Sequence, residues 1–272
     1  MCYVCVGHTE GNIDEHVYQE HLIKKNRARE EKEKDKKDAG LGKCILLTMD
    51  LEAVKVCPYS TASALYFKTK LTCHNFTVFD LTSRHCTCYW FTETATDLTS
   101  IKKHNISITQ KFLERGHTQM ECDSVHSAIE RKLSNRIINS PCDYVSATKE
   151  ARASCPYEVI QIDHNFVKNY ADSSTWLYKS IRPGRKAGDP TVTDIRAILY
   201  DQDDTIKVKL NFDQDWFTLP QRYKSFDPGV FYSTLRKDMI PISASKYRHL
   251  QELKQVLPKE CHNFYDTLPH KN

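Results

Sequence analysis

Residues Lys70–Glu93 read KLTCHNFTVFDLTSRHCTCYWFTE, and this stretch decides the fold class. Its two halves, KLTCHNFTVFDL and RHCTCYWFTE, are aromatic and β-branched with partial alternation, the pattern of half-buried strands. Leu81–Arg84 between them has the length of a hairpin connection. Working outward, CILLTMDLE (Cys44–Glu52) is a short apolar run that supplies a further strand upstream. Downstream, Thr96–His104 is helix-prone and ISITQKFL (Ile106–Leu113) is strand-like. Within Met120–Ser134, Val125, Ile129 and Leu133 recur at helical spacing, the stripe of an amphipathic helix. PYEVIQIDHNF (Pro156–Phe166) is again strand-like. From about Trp176 the chain passes through the turn RPGRKAGDP. It then forms two strands, DIRAILY and TIKVKLNF, joined by Asp201–Asp204, and closes with a short helix over Ser245–Val256. Strands interspersed with helices predict an α/β fold.

The 272 residues suffice for one or two domains with a sizeable core. With 40% apolar residues and a net charge of +4, neither a disordered chain nor a polyelectrolyte fits. Apolar runs fall far short of the ~20 residues of a membrane-spanning helix. The first residues lack a basic segment followed by an apolar one, so an intracellular protein without membrane association is expected. The 11 cysteines are too sparse for a disulfide scaffold and point to reduced thiols, core packing or metal ligands. Three parts are expected: a basic helical arm over residues 1–42, an α/β domain over 43–170 and a small β-rich module over 171–272.

Cys2-x2-Cys5 followed by His16-x4-His21 has the residue types and nearly the spacing of a zinc site, with His8 between them. Ten residues separate Cys5 from His16, two fewer than in a zinc finger, and the bland alternative is a frayed terminus with incidental cysteines. Lys24–Asp38 carries eight bases against five acids. Lys24, Lys25, Arg27 and Arg29 could therefore meet phosphates weakly and without sequence preference, although a solvated linker helix explains the interleaved charges as well. Asp50 closes an apolar strand. With His117, Asp123, His126 and Glu130 around the following helix it forms a candidate cation site, against the reading of an ordinary solvated helix face. Arg182, Arg185 and Lys186 flank Pro183-Gly184 and suit either a nucleic-acid backbone or a plain basic turn.

Taken together and in order, LTMDLEAVKVCP, ALYFKTKLTCHNFTVFDL, CYWFTE, ITQKFLERGHTQMECDSVHSAIERKL, SIRPGRKAGDP and HNFYDTLP resemble a family of transposable-element-derived animal proteins, itself similar to DDE transposases with an RNase H-like core. The resemblance covers nearly the whole chain. It implies a truncated RNase H-like sheet, a nuclear location and a nucleic-acid partner, with Mg²⁺ or Mn²⁺ as the family's catalytic ions. It also implies Asp50 as first acid at the end of the central strand, and Asp123, or else Glu130, as third. The segment that carries the second acid in the family is reduced here to Thr94–Asn105, where Asp97 is the sole acid. Two-metal phosphoryl transfer needs several carboxylates around ions ~4 Å apart, so Asp50, Asp123 and Glu130 are expected to be vestigial and the chain inactive. A metal-dependent nuclease that recruits Glu121, and an interaction module without a nucleic-acid role, are the rival readings. The shortening should also remove the strand beside Asp50's own, and ISITQKFL is expected to take its place, with residues 106–113 touching residues 45–50.

Overall fold

The computed structural model describes residues 2–95, 107–114, 120–169, 180–184, 186–201, 205–219 and 233–271. The chain divides into two compact units, residues 1–44, 101–119 and 171–230 in one and 45–100, 120–170 and 231–272 in the other. This division differs from the three consecutive parts expected. The basic arm belongs with the β-hairpin of the last third, and the C-terminal helices return to the central segment.

The second unit holds the larger sheet. Strands β1 (Leu47–Leu51), β2 (Lys55–Cys57), β3 (Leu71–Asp80) and β4 (Cys86–Thr92) are followed by β6 (Glu158–Gln161), and the order is β1-β3-β4-β6 with β2 also on β3. β3 and β4 form the hairpin, in antiparallel register from Cys73 opposite Thr92 to Phe79 opposite Cys86. Asp80 closes its turn by accepting from the Thr82 N–H at 2.8 Å and the Ser83 hydroxyl at 2.7 Å, the local bonding for which aspartate is favoured in turns. Helices α3 (Glu121–Leu133) and α4 (Pro141–Glu150) cover one face of this sheet. The expected stripe is realised: Val125 and Ile129 are buried against Cys73, Cys86, Cys88 and Trp90, with Leu133 beside them. α4 begins where Pro141 follows Ser140 and Asp143 accepts from the Asn139 and Ser140 N–H groups at 2.7 and 2.9 Å, satisfying donors that a helix start leaves open. Helices α5 (Ala244–Leu253) and α6 (His262–Asp266) build a second core on Leu65 and Leu71 through Leu250, Leu253 and Tyr265.

The first unit contains α1 (Tyr3–Thr9), α2 (Glu15–Gly40) and a smaller sheet in the order β5-β7-β8-β9, formed by Ile108–Lys111, Ala197–Tyr200, Ile206–Lys209 and Phe217–Thr218. The expected hairpin is β7–β8. α2 is not merely a solvated linker, because Ala28, Glu31, Lys32 and Ala39 are buried, with Ala28 packed against Ala197 and Phe212. The helix ends beside Gly42, whose φ of +71° is the left-handed conformation that suits glycine.

The expected strand replacement does not occur. ISITQKFL pairs through β5 with β7, Ile108 opposite Tyr200, and not with β1. Lys111 gives the physical reason: its ammonium meets Glu31 at 2.6 Å and Asp35 at 2.7 Å on α2, a demand that the middle of the larger sheet does not meet. β1 is consequently an edge strand among the described residues rather than a central one. Its outward residues Leu47, Met49 and Leu51 remain 43–48% exposed.

The Lys111 bridge makes a testable contribution. Burial pushes the Glu31 carboxyl up, but the Lys111 ammonium, with Lys34 and Arg27 behind it, outweighs burial and the net shift is downward. A carboxylate whose folded pKa is depressed stabilises the fold above its unfolded pKa and loses that contribution as the pH falls through the folded value. Lys111→Met should therefore cost about 1–3 kcal/mol at pH 7. In urea titrations the gap between variant and parent should close as the pH drops below the ordinary glutamate range. A gap that stays constant down to pH 3 contradicts this assignment.

Candidate metal centre

Cys2 stands at the N-cap of α1 and Cys5 lies three residues on, so both thiols leave the same side of the first turn. The chain then reverses at Gly11, with φ +75°, and α2 runs back past α1. The return is tight, since a Cβ on Gly7 would stand 2.8 Å from Ile13 Cγ1. The His8 ring stacks on Tyr18 at 3.9 Å and its Nε2 lies 2.8 Å from Glu15 Oε2, fixing one helix against the other.

This arrangement delivers His21 to the two thiols. Its Nε2 lies 3.4 Å from Cys2 Sγ and 3.6 Å from Cys5 Sγ. A tetrahedral zinc ion with bonds of ~2.3 Å to sulfur and ~2.05 Å to nitrogen requires an S···N edge of about 3.6 Å, so the spacing fits that ion. Among the described residues this is the only group of three or more His, Cys, Asp or Glu whose ligand atoms all lie within 4.8 Å of one another. Cys2 and His21 are only 8% and 6% exposed, a burial that suits a structural ion.

Outside the trio, Glu114 Oε1 stands 3.6 Å from His21 Nδ1, and Arg196 Nη2 lies 3.9 Å from Glu114 Oε2. A carboxylate behind a ligating histidine holds the tautomer that leaves Nε2 to the metal. Burial and the neighbouring Cys2 push the Cys5 thiol up, while Lys25 pulls it down, so metal binding must displace a proton there. His16 does not join the cluster. It projects into solvent, 82% exposed, 3.6 Å from Glu20, because five residues along a helix carry it away from the face of His21.

The carboxylates of the second unit are dispersed in function. Asp50 Oδ1 accepts from the Leu51 N–H at 2.9 Å, and Asp123 Oδ2 accepts from the Met120 N–H at 2.9 Å, capping α3. Glu130 pairs with Lys55, whose ammonium also lies 3.2 Å from the buried Glu52. His126 Nε2 meets Thr77 Oγ1 at 3.0 Å, and Thr77 stands opposite Asp50 in the β1–β3 register. Asp50, Asp123 and Glu130 are thus engaged separately, and among the described residues they do not bring their oxygens together within the reach of one ion. His117 and Asp97 lie outside the described residues.

The basic candidates fare unequally. Lys24 is exposed and Lys25 half-buried. Arg27 is engaged, its Nε 2.5 Å from Asp213 Oδ1, its Nη2 3.2 Å from Glu31 Oε2 and its guanidinium 5.9 Å from the centre of the Phe212 ring. Arg29 is half-buried, with an Nε that has no partner. Arg182 and Lys186 are exposed on a turn in which a Cβ at Gly184 would collide with Asp189 at 2.0 Å. Arg185 and the helix expected over Thr96–His104 fall outside the described residues.

Sequence reasoning missed Glu114 and Glu52, since a lone glutamate in a strand end or loop carries no spacing signal. No described helix is long and apolar enough to cross a membrane. Comparison of the chain with family models, with curated proteins and with solved structures finds no match.

Proposed function

We propose that the chain is a catalytically silent, transposase-derived nuclear protein with a degenerate RNase H-like sheet. On this reading its N-terminal arm is stapled by one zinc ion and retains weak, sequence-independent nucleic-acid binding. The observation that carries the catalytic half is the commitment of each acid to a different partner: Asp50 to its own strand end, Asp123 to a helix cap and Glu130 to Lys55. Magnesium keeps its waters unless octahedral geometry is nearly ideal, and three separately engaged carboxylates do not supply that geometry. The binding half rests on Lys24, Lys25 and Arg29 along one helix, with Arg27 drawn into ion pairs and Arg182 and Lys186 on an exposed turn.

Two assays test it together. Incubated with DNA and Mg²⁺ or Mn²⁺, the protein should leave the substrate intact, as should Asp50→Ala. Metal-dependent cutting that disappears in Asp50→Ala overturns the silent reading. Gel retardation across a salt series should show affinity falling as salt rises, with a logarithmic slope shallower by about 0.9 for each phosphate-contacting lysine removed. Binding that ignores both salt and the Lys24→Ala/Lys25→Ala change overturns the nucleic-acid reading.

A further inference from the structure

In the second unit the carboxyl ends of α3 and α4 meet, and bases gather where they do. Glu150, the last residue of α4, pairs with Arg136 and lies 3.2 Å from Lys132 Nζ in the last turn of α3. Burial pushes the Tyr157 hydroxyl up while Arg152 and Arg131 pull it down, so both guanidiniums stand near that oxygen. The Arg152 guanidinium is 5.9 Å from the centre of the Tyr157 ring. The two groups are joined along the chain, Arg131 to Lys132 and Glu150 to Arg152. Lys149 adjoins Glu150, and both Arg131 and Lys149 are exposed without an ion pair among the described residues.

Helix stability accounts for part of this charge. A base in the last turn complements the partial negative charge of a helix end, about half a unit for each helix. Glu150 adds one full negative charge. Arg131, Lys132, Arg136, Lys149 and Arg152 exceed that total, and about three positive charges stay uncompensated. The neighbouring acids are engaged elsewhere. Glu158 serves the β3–β4 hairpin, where the Thr87 hydroxyl donates to it at 2.9 Å and His85 Nε2 lies 3.5 Å away, and Glu130 pairs with Lys55.

We infer that this surface binds the phosphate backbone of duplex nucleic acid. The inference deepens the nucleic-acid reading above and rests on it, adding a contact surface on the unit that carries the larger sheet. Arg131, Arg136 and Arg152 have planar guanidiniums that match two phosphate oxygens at once. A single strand would need exposed rings on which its bases stack, but Tyr157 is only 8% exposed, with Arg152 over its ring. A membrane would need an apolar face beside the bases. The apolar stripe of α3 is spent in the core, and Ile137 is the single large apolar residue exposed on the connection between α3 and α4.

The test is gel retardation of a short DNA duplex by the full chain across a salt series. Arg131→Ala/Lys149→Ala removes two exposed, unpaired charges. It should lower affinity about 10-fold per lost contact at ~0.1 M salt, with a logarithmic slope shallower by about 1.8. Should that variant fail to fold, Arg131→Gln alone should still make the slope shallower by about 0.9. Lys24→Ala/Lys25→Ala, in the other unit, separates the two ways of failing. A slope that falls in the Lys24/Lys25 variant and is unchanged in the Arg131/Lys149 variant overturns this inference and leaves the nucleic-acid reading standing. A parent chain that retards no duplex at any salt overturns both. Tighter binding to the single strand of the same sequence, or to phosphatidylserine vesicles in place of the duplex, overturns this inference as well.

Discussion

His21→Ala is expected to lower zinc affinity by more than 100-fold. A structural zinc ion contributes at least ~10 kcal/mol of apparent binding energy, and loss of about a third of that, roughly 3 kcal/mol, is a factor above 100. The histidine is the member that joins the two helices: Cys2 and Cys5 belong to the first turn of α1, and only His21 comes from α2. Its loss should therefore also release α1, visible as faster amide exchange over Tyr3–Thr9. Glu114→Gln, which keeps the shape but not the charge behind Nδ1, should weaken zinc about 10-fold and leave the stoichiometry unchanged. His16→Ala should change nothing, because that ring lies in solvent. Competition with a chromogenic chelator, together with the visible spectrum of the cobalt-substituted protein, measures all three. Zinc held as tightly by His21→Ala as by the parent chain excludes the assignment.

Trp90→Ala is expected to destabilise the second unit by about 3–5 kcal/mol, a large part of the ~5–15 kcal/mol that folded domains possess. Trp90 is only 3% exposed and its ring stacks on Tyr144 with centroids 5.0 Å apart. Its indole N–H donates to Thr148 Oγ1 at 3.0 Å, and that hydroxyl donates in turn to the Tyr144 carbonyl at 2.8 Å. Truncation opens a void and removes the donor to a fully buried hydroxyl. Trp90→Phe retains much of the ring but not the donor and should cost less, about 1–3 kcal/mol. Urea unfolding monitored by far-ultraviolet circular dichroism measures both. Equal losses for the two variants would mean that the hydrogen bond dominates, and a loss below 1 kcal/mol for alanine would remove Trp90 from the core.

Local pattern carried much of the fold. The β3–β4 hairpin, the α3 stripe, the β7–β8 hairpin and α5 were all legible because each is set by side-chain periodicity and turn residues within a few positions. β2 and α4 were missed. The first spans only Lys55–Cys57, too short for an alternation to register. The second reads PCDYVSATKE, whose apolar face is sparse and whose start is signalled mainly by Ser140-Pro141 and Asp143. The candidate metal cluster was partly legible: the two cysteines share one turn, but nothing in the spacing distinguished His16 from His21.

By itself the sequence determined which segments extend and which coil, and that thiols and imidazoles lie near enough along the chain to share an ion. Only the tertiary structure decided which sheet ISITQKFL joins, that β1 remains at an edge, and that His21 rather than His16 turns inward with Glu114 behind it. The reason is one of range. Hydrophobic period and turn chemistry act over a few residues, whereas strand partners and ligand orientation depend on groups as distant as Lys111 from Glu31 or Glu114 from His21, whose pairing no local pattern encodes.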